Sequence, residues 1–498
     1  MRAIDRRLFL NESALLAATA SILSQERAEG RPEAREAGKA GEKLRVAVVG
    51  VGGQGNSHVN GFSGRLGCEV TVICDADSAR IKPAMESARA RQGGQEPRYV
   101  QDVRKVVEDK DIDVISIATP NHWHALIAIW AMQNGKHVYV EKPVSHNVVE
   151  GRRIVDFARK HAKVCQTGTQ SRSSKGMRDA IAFLHAGKLG KVKLARGLCY
   201  KLRGSIGNTG KGAPPSTLDY NLWCGPASNG PMKRARLHYD WHWVWEYGNG
   251  DLGNQGIHEM DKARWGLGKD HLPRSVQSVG GRFGYKDDGE TANTQIIDFD
   301  YGDCRLVFEV RGLRSESPYP GKASPKSVGP KDRYPGYVGN IWYGEEGYLV
   351  CPSYTGGIAY SKDGEVLQKF SGSGDHFGNF IEAVRAGKPS LLNADILEGH
   401  LSSAMCHLGN ISYRLGEQAS YKEKAEWFEH ADAARALEST AKHLASHGVA
   451  LDEVKWGKGP KLELDTKAER FIKNDEANKM LVRESYRKGF ELPDPAKG

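Results

Sequence analysis

From residue 44 onward, short uninterrupted apolar runs alternate with longer stretches whose apolar positions recur at helical spacing. The run 46–49, VAVV, is apolar and mostly β-branched, the pattern of a strand buried on both faces of a parallel sheet. Runs at 69–74, 98–100, 113–118, 137–140 and 163–168 read as further strands. Between them the spacing predicts helices over 78–91 and 102–108. Another carries Trp123, Leu126, Ile127 and Trp130 on one face and stops at Gly135, and a fourth covers 148–161 behind a capping box of Asn147 and Glu150. Strand and helix alternating in this way predict an α/β fold with a doubly wound sheet over 44–168.

Past 168 the pattern changes. A helix over 174–185 closes at Gly187, and a strand over 192–202 opens the sheet of a second domain, taken as 169–420. A helix over 395–415 places His400 and His407 on one face, where packing between domains is expected. Residues 311–337, rich in Pro, Ser, Gly and basic side chains, read as a long loop or arm. A C-terminal extension, 421–498, carries helices near 434–447 and 467–481 and no identifiable chemistry.

The strand at 46–49 runs straight into Gly50-x-Gly52-x-x-Gly55, with Gly53 also inside the turn. One glycine permits the tight turn, one lets the backbone reach a pyrophosphate, and one lets helix and strand pack closely. The second strand ends at Asp75, twenty residues beyond Gly55, where a carboxylate accepts hydrogen bonds from the adenosine ribose. That charge repels a 2′-phosphate and favours NAD over NADP. Two more polar groups follow strand ends: 119–124, with Thr119, Asn121 and His124, and the pair Glu141-Lys142. Ligands bind at this edge of an open α/β sheet, and a partly buried lysine there can trade protons near neutrality.

Composition narrows the class. Of 498 residues, 39% are hydrophobic and 27% charged, ordinary for a globular protein, and no apolar run reaches membrane-spanning length. The net charge of +10 is dispersed, without a basic helix or a nucleic-acid motif. Eight cysteines without CxxC or metal-ligand spacing read as reduced structural thiols, and no metal is implied. At the N-terminus, Arg6-Arg7-Leu8-Phe9-Leu10, the apolar 14–23 and Ala18-x-Ala20 resemble a bacterial twin-arginine export signal over 1–30, followed by a polar linker over 31–43. No cysteine precedes Cys68, which argues against a lipid anchor. A protein exported folded can carry a cofactor loaded in the cytoplasm.

The glycine turn, the stretch TPNHWHALIAIWAMQNGKHVYVEKP (119–143) and a later His-containing helix together resemble the Gfo/Idh/MocA oxidoreductases over about 44–415. The resemblance implies an N-terminal Rossmann domain, a C-terminal α/β domain with a large, mostly antiparallel sheet, NAD as cofactor, and Lys142 as the catalytic lysine. It brings Gln170 and Arg172 near cofactor or substrate. From Gln255 the chain should be helical, with Asn254, His258 and Asp261 on one face, Asp261 being a candidate substrate contact. The family's second motif has an aspartate where Asn254 stands; only an orienting or hydroxyl-binding role carries over to Asn254, and His258 is the acid–base candidate. Tyr239, Trp241, Trp243, Trp245 and Tyr247 alternate strictly, so an extended segment would put all five rings on one face. Trp243 is the representative candidate for stacking on a sugar, packing in the core being the other reading. The implied function is NAD-dependent hydride transfer on a carbohydrate or polyol. Two alternatives stand beside it: a redox-neutral glycosidase, lyase or epimerase with tightly held NAD, and a non-catalytic sugar or NAD binder. A homo-oligomer, dimer or tetramer, is expected.

Overall fold

The computed structural model describes residues 42–210, 212–232, 234–320 and 336–497. The twin-arginine stretch, most of the linker, and 321–335 of the expected arm lie outside the described residues.

Strands β1 (Leu44–Val49), β2 (Cys68–Cys74), β3 (Arg98–Val100), β4 (Val114–Ile117), β5 (His137–Val140) and β6 (Cys165–Thr167) form one parallel sheet in the order β3-β2-β1-β4-β5-β6. Side chains alternate across β1: Val46 and Val48 join a core with Val59 and Phe62, while Ala47 and Val49 join one with Leu126 and Ile129. The order reverses between β2-β1 and β4, which opens a crevice at the carboxyl ends of β1 and β4. Helix α1 (Gly55–Phe62) follows β1, α2 (Asn121–Gln133) follows β4, and α3 (Val148–Lys160) follows β5. The capping box at α3 is displaced by one residue on its return half. Asn147 Oδ1 accepts from the Glu150 N–H, but Glu150 Oε2 accepts from the N–H of His146 rather than that of Asn147.

The second sheet runs β14-β13-β12-β11-β7-β10-β9-β8-β16-β15. Its strands are β7 (Val192–Lys201), β8 (Ser275–Gly281), β9 (Thr294–Asp300), β10 (Arg305–Arg311), β11 (Gly336–Gly344), β12 (Gly347–Cys351), β13 (Gly356–Ser361), β14 (Val366–Ser371), β15 (Glu417–Ser420) and β16 (Lys455–Lys458). All neighbours on this path are antiparallel except β7 and β10. Helices α4 (Gly256–Gly266) and α5 (Ile396–Arg414) pack on the sheet, and α6 (Ala431–Ser446) contributes to a core with Val279, Ile296 and Val307. His400 and His407 are buried in packing: His400 Nε2 lies 2.9 Å from Glu469 and His407 Nε2 3.3 Å from Ser145. All eight cysteines are free and buried. Among the described residues, no helix is long and apolar enough to cross a membrane.

Two expected elements take another form. Residues 467–481 are not one helix: β17 (Leu462–Asp465) pairs with β18 (Arg470–Phe471) and with β8, and a short helix, Asp475–Lys479, follows. Glu469 and Lys473 have positive φ, and the Asn478 side chain ties down both the N–H and the C=O of Phe471, so the chain turns there instead of coiling. The alternating aromatics do not share a face either, because Asp240–Trp243 is a 3₁₀ turn and breaks the period of two.

Candidate active site

The crevice and the second half of the chain enclose a cavity of about 640 Å³. Its floor at one end is the glycine turn. Gly50 has φ +84°, and a Cβ there would lie 2.8 Å from the backbone of Ala118 and Thr119. A Cβ on Gly55 would come within 1.8 Å of the Gly50 carbonyl oxygen, so α1 can approach β1 this closely only without a side chain at that position. Gly52 and Gly53 are exposed at the tip of the turn. Asp75 lines the cavity, its Oδ2 accepting from the Val51 N–H at 2.8 Å and its Oδ1 from the Asp77 N–H at 2.9 Å. Burial pushes its pKa up, against those two bonds.

At the end of β4, Thr119 lines the cavity with a buried Oγ1 that has no partner among the described residues. Asn121 donates to Asn249 Oδ1 at 2.8 Å. The ring nitrogens of His124 lie 2.7 Å from the carbonyl oxygens of Thr119 and Pro143, tying the β4 turn to the β5 turn. At the end of β5, Glu141 is buried; its Oε1 lies 3.2 Å from His58 Nε2 and accepts from Gln170 Nε2 at 3.1 Å. Burial opposes its charge, but the His58 hydrogen bond, with Lys142 and His258 nearby, outweighs that and holds the carboxyl at about 2. Lys142 Nζ reaches across to the second half of the chain and donates to the Asn254 carbonyl oxygen at 2.8 Å. Burial lowers its pKa against the pull of Glu141. His258 and Asn254 line the same cavity. Burial first and Lys142 second push the His258 imidazole well below the ordinary histidine range.

This arrangement coincides with two family matches. Residues 44–169 match the oxidoreductase family with an NAD-binding Rossmann fold, and 192–326 match the same family's C-terminal alpha/beta domain, together about half of the chain. The chain belongs to the Gfo/Idh/MocA oxidoreductase family. The fold agrees with the solved WlbA dehydrogenase from Bordetella pertussis, in complex with NADH and UDP-GlcNAcA. The TM-score is 0.52 at 18% identity, covering 74% of this chain and 95% of that one. A glycosyl hydrolase family 109 protein from a Shewanella species is 34% identical over 179 residues, 33% of this chain and 39% of the relative. An alpha-N-acetylgalactosaminidase from Shewanella oneidensis is 36% identical over 127 residues, 25% of this chain and 28% of the relative. The chain therefore matches well under half the length of these relatives.

The donor set of this oxidoreductase suits the dinucleotide. Gly50, the exposed Gly52 and Gly53, the Thr119 hydroxyl and the Asp75 carboxylate all line the one cavity, and Gly55 behind them lets α1 start close against β1. Three expected substrate contacts lie elsewhere. Arg172 and Asp261 are buried against each other with Nε–Oδ2 at 2.9 Å, Arg172 also donates to Glu398, and Ser402 donates to Asp261. Two opposite charges on neighbouring elements satisfy one another and anchor α4, so neither lines the cavity. Trp243 is buried under the Arg203 guanidinium, 5.5 Å from its ring centre, and does not line the cavity. The expected helix from Gln255 is α4, with Gln255 as its N-cap; a short helix, Gly250–Asn254, precedes it, and the Asn254 carbonyl at the break between the two is what Lys142 uses.

The sequence singled out none of His238, His242 and Tyr354, yet all three line the cavity, as do Tyr239 and Trp241. His242 stacks on Trp241 at 3.7 Å, a consequence of the 3₁₀ turn. Nothing local marks Tyr354, which lies in the turn between β12 and β13 and reaches the cavity only through the folding of the second sheet.

Proposed function

We propose that the protein is an NAD-dependent oxidoreductase acting on a carbohydrate or polyol, with Lys142 and His258 as its acid–base pair. The observation that carries this reading is that these two side chains, from opposite halves of the chain, line one cavity with the glycine turn and Asp75. Bound NAD supplies a hydride acceptor and, once reduced, a hydride donor. The chain's own residues handle the proton. His258, kept neutral by burial and by Lys142, takes it from the reacting hydroxyl. Lys142, held in place by the Asn254 carbonyl, donates to that oxygen as negative charge develops. The Asp75 carboxylate supports NAD over NADP by repelling a 2′-phosphate.

A redox-neutral version is favoured by a specific feature. The described residues of 217–242 form a strap over the dinucleotide end of the crevice: the Ser78 N–H donates to the Thr217 carbonyl at 3.1 Å and the Asp219 N–H to that of Ala76 at 3.0 Å. Trp123 Nε1 donates to the Leu222 and Trp223 carbonyls at 3.0 Å, and His238 Nε2 lies 2.8 Å from Asp77 Oδ2. A roof fastened at several points supports a cofactor that stays bound between turnovers. In such a cycle one sugar carbon is oxidised to a ketone, a neighbouring bond is cleaved or inverted, and the ketone is reduced again, with no net change in NAD. The names of the two Shewanella relatives support hydrolysis as that middle step. It also fits export through the Arg6-Arg7 signal, because a retained cofactor needs no external pool.

The test is the nucleotide released by denaturing freshly purified protein, followed by product analysis with candidate glycosides. Stoichiometric NAD(H) with cleavage and no net NADH supports the redox-neutral form. Weakly held NAD with stoichiometric NADH production supports a free-cofactor dehydrogenase. No nucleotide binding under any condition overturns both.

A further inference from the structure

The cavity wall beside His258 contains a hydrogen-bond chain whose direction is fixed by a residue that can only donate. Lys201, at the end of β7, donates from Nζ to Gln255 Oε1 at 2.9 Å. An ammonium group has no acceptor, so the Gln255 amide must turn its oxygen toward Lys201 and its NH₂ the other way. There Nε2 lies 2.6 Å from Tyr354 Oη, and 3.4 and 3.3 Å from the two Glu259 carboxylate oxygens. Two amide hydrogens meet two acceptors, and the phenol oxygen is one of them. Gln255 and Glu259 are both buried, which makes the polarity costly to reverse. Tyr354 lines the cavity edge-on to His258, with ring centres 5.1 Å apart. Among the described residues none accepts the Tyr354 proton.

We infer that Tyr354 donates its hydroxyl proton to an oxygen of the bound sugar beside the reacting hydroxyl, and that Gln255 and Lys201 are positioning residues that keep it a donor. The inference rests on the sugar reading of the site given above. It specifies the ligand further: the substrate carries an acceptor oxygen next to the carbon that reacts, and the analogue lacking that oxygen is rejected because the buried donor would be left unpaired.

The test uses full-length, NAD-loaded protein with 3-fluorotyrosine at position 354, titrated by fluorine NMR. The groups around the phenol are Glu259, Lys262 and His258 on α4, Cys199 on β7 and Arg203 just beyond it, with the Lys262 ammonium 5.2 Å from the ring centre. Burial already holds the phenol above the ordinary tyrosine range and the Gln255 donor counteracts it, so Gln255→Leu is expected to raise the phenol pKa further, read as a smaller phenolate fraction at the same alkaline pH. An unchanged or lower value would mean that the phenol donates to Gln255, and overturns the inference. This arm needs neither turnover nor a known substrate, and NAD content is measured on the same sample, so failure of the oxidoreductase reading appears separately as absent nucleotide. In the second arm, levoglucosan and methyl N-acetyl-α-galactosaminide are added as probes. Movement of the fluorine resonance by either, lost in Gln255→Leu, supports the sugar contact, and no movement with either overturns it.

Discussion

Lys142 and His258 face the same space with opposite tasks, and burial moves both away from their charged forms. A neutral imidazole is the form that accepts a proton, so activity falls on acidification only where His258 protonates, and burial has displaced that point well below the ordinary histidine range. The kcat/KM profile is therefore expected to stay flat through pH 6–7, where an exposed histidine would bend it. His258→Asn should cost about 100- to 10,000-fold in kcat/KM while leaving bound NAD unchanged in the released-nucleotide assay. Lys142→Arg should fail comparably, because the longer, planar guanidinium cannot take the place of a compact ammonium held on the Asn254 carbonyl and aimed at the reacting oxygen. Gly55→Ala tests the cradle by a different route: a methyl 1.8 Å from the Gly50 oxygen forces α1 away from β1, and nucleotide content should drop to near zero. These positions were legible in the sequence because each rests on local pattern: a glycine turn after an apolar run, a lysine at a strand end, a histidine at helical spacing. Arg172 and Asp261 were misread for the converse reason. Residue type marks them as chemically capable, but their mutual pairing depends on two elements 89 positions apart in the chain.

The strands and helices of the first half were legible almost residue for residue, since a parallel sheet covered on both faces leaves unbroken apolar runs. The strap was not. The rings at its end and just beyond it alternate like a strand, yet Tyr239 to Tyr247 are distributed among a 3₁₀ turn, the Arg414–Trp245 stack and a Trp223–Tyr247 cluster, because here the chain follows the surface of the crevice instead of a sheet partner. The strap carries its own prediction. Its contact at His238 is a single side-chain bond to Asp77, which itself caps the 3₁₀ turn Ser78–Arg80. Removing the imidazole with His238→Ala leaves that cap and the main-chain bonds intact, so the fold should persist while the roof opens more often. Dissociation of NAD is expected to accelerate about 5- to 10-fold, the equivalent of one hydrogen bond, as followed by loss of nucleotide fluorescence into excess competitor. An unchanged rate would show that the strap does not govern release.

At the scale of the whole molecule, the C-terminal residues bind the two halves together. Phe490 packs on Trp123 at 5.5 Å, Tyr486 donates to Glu150 and Arg487 to the Asn221 carbonyl at 3.1 Å, so the tail touches the Rossmann helices and the strap alike. Its most ionic anchor is Glu469, paired with Arg152 of α3 through Nε at 3.1 Å and lying 2.9 Å from His400 Nε2 of α5. Burial opposes this carboxylate, but its hydrogen bonds to His400 and Arg152 outweigh the penalty and bring its pKa from 4.5 down to about 2. A carboxylate whose pKa is depressed on folding stabilises the native state in its ionised form. The contribution is complete above about pH 4.5 and disappears as the pH falls through about 2. Glu469→Gln keeps the shape and removes the charge, so at pH 7 the variant should be less stable than the wild type by about 2 kcal/mol. Urea unfolding of both proteins at pH 7, 5 and 3 should show the gap nearly constant between pH 7 and 5 and narrowing toward pH 3. A gap that stays constant to pH 3 would mean that the tail is held by its apolar contacts and neutral hydrogen bonds, with Glu469 contributing shape alone.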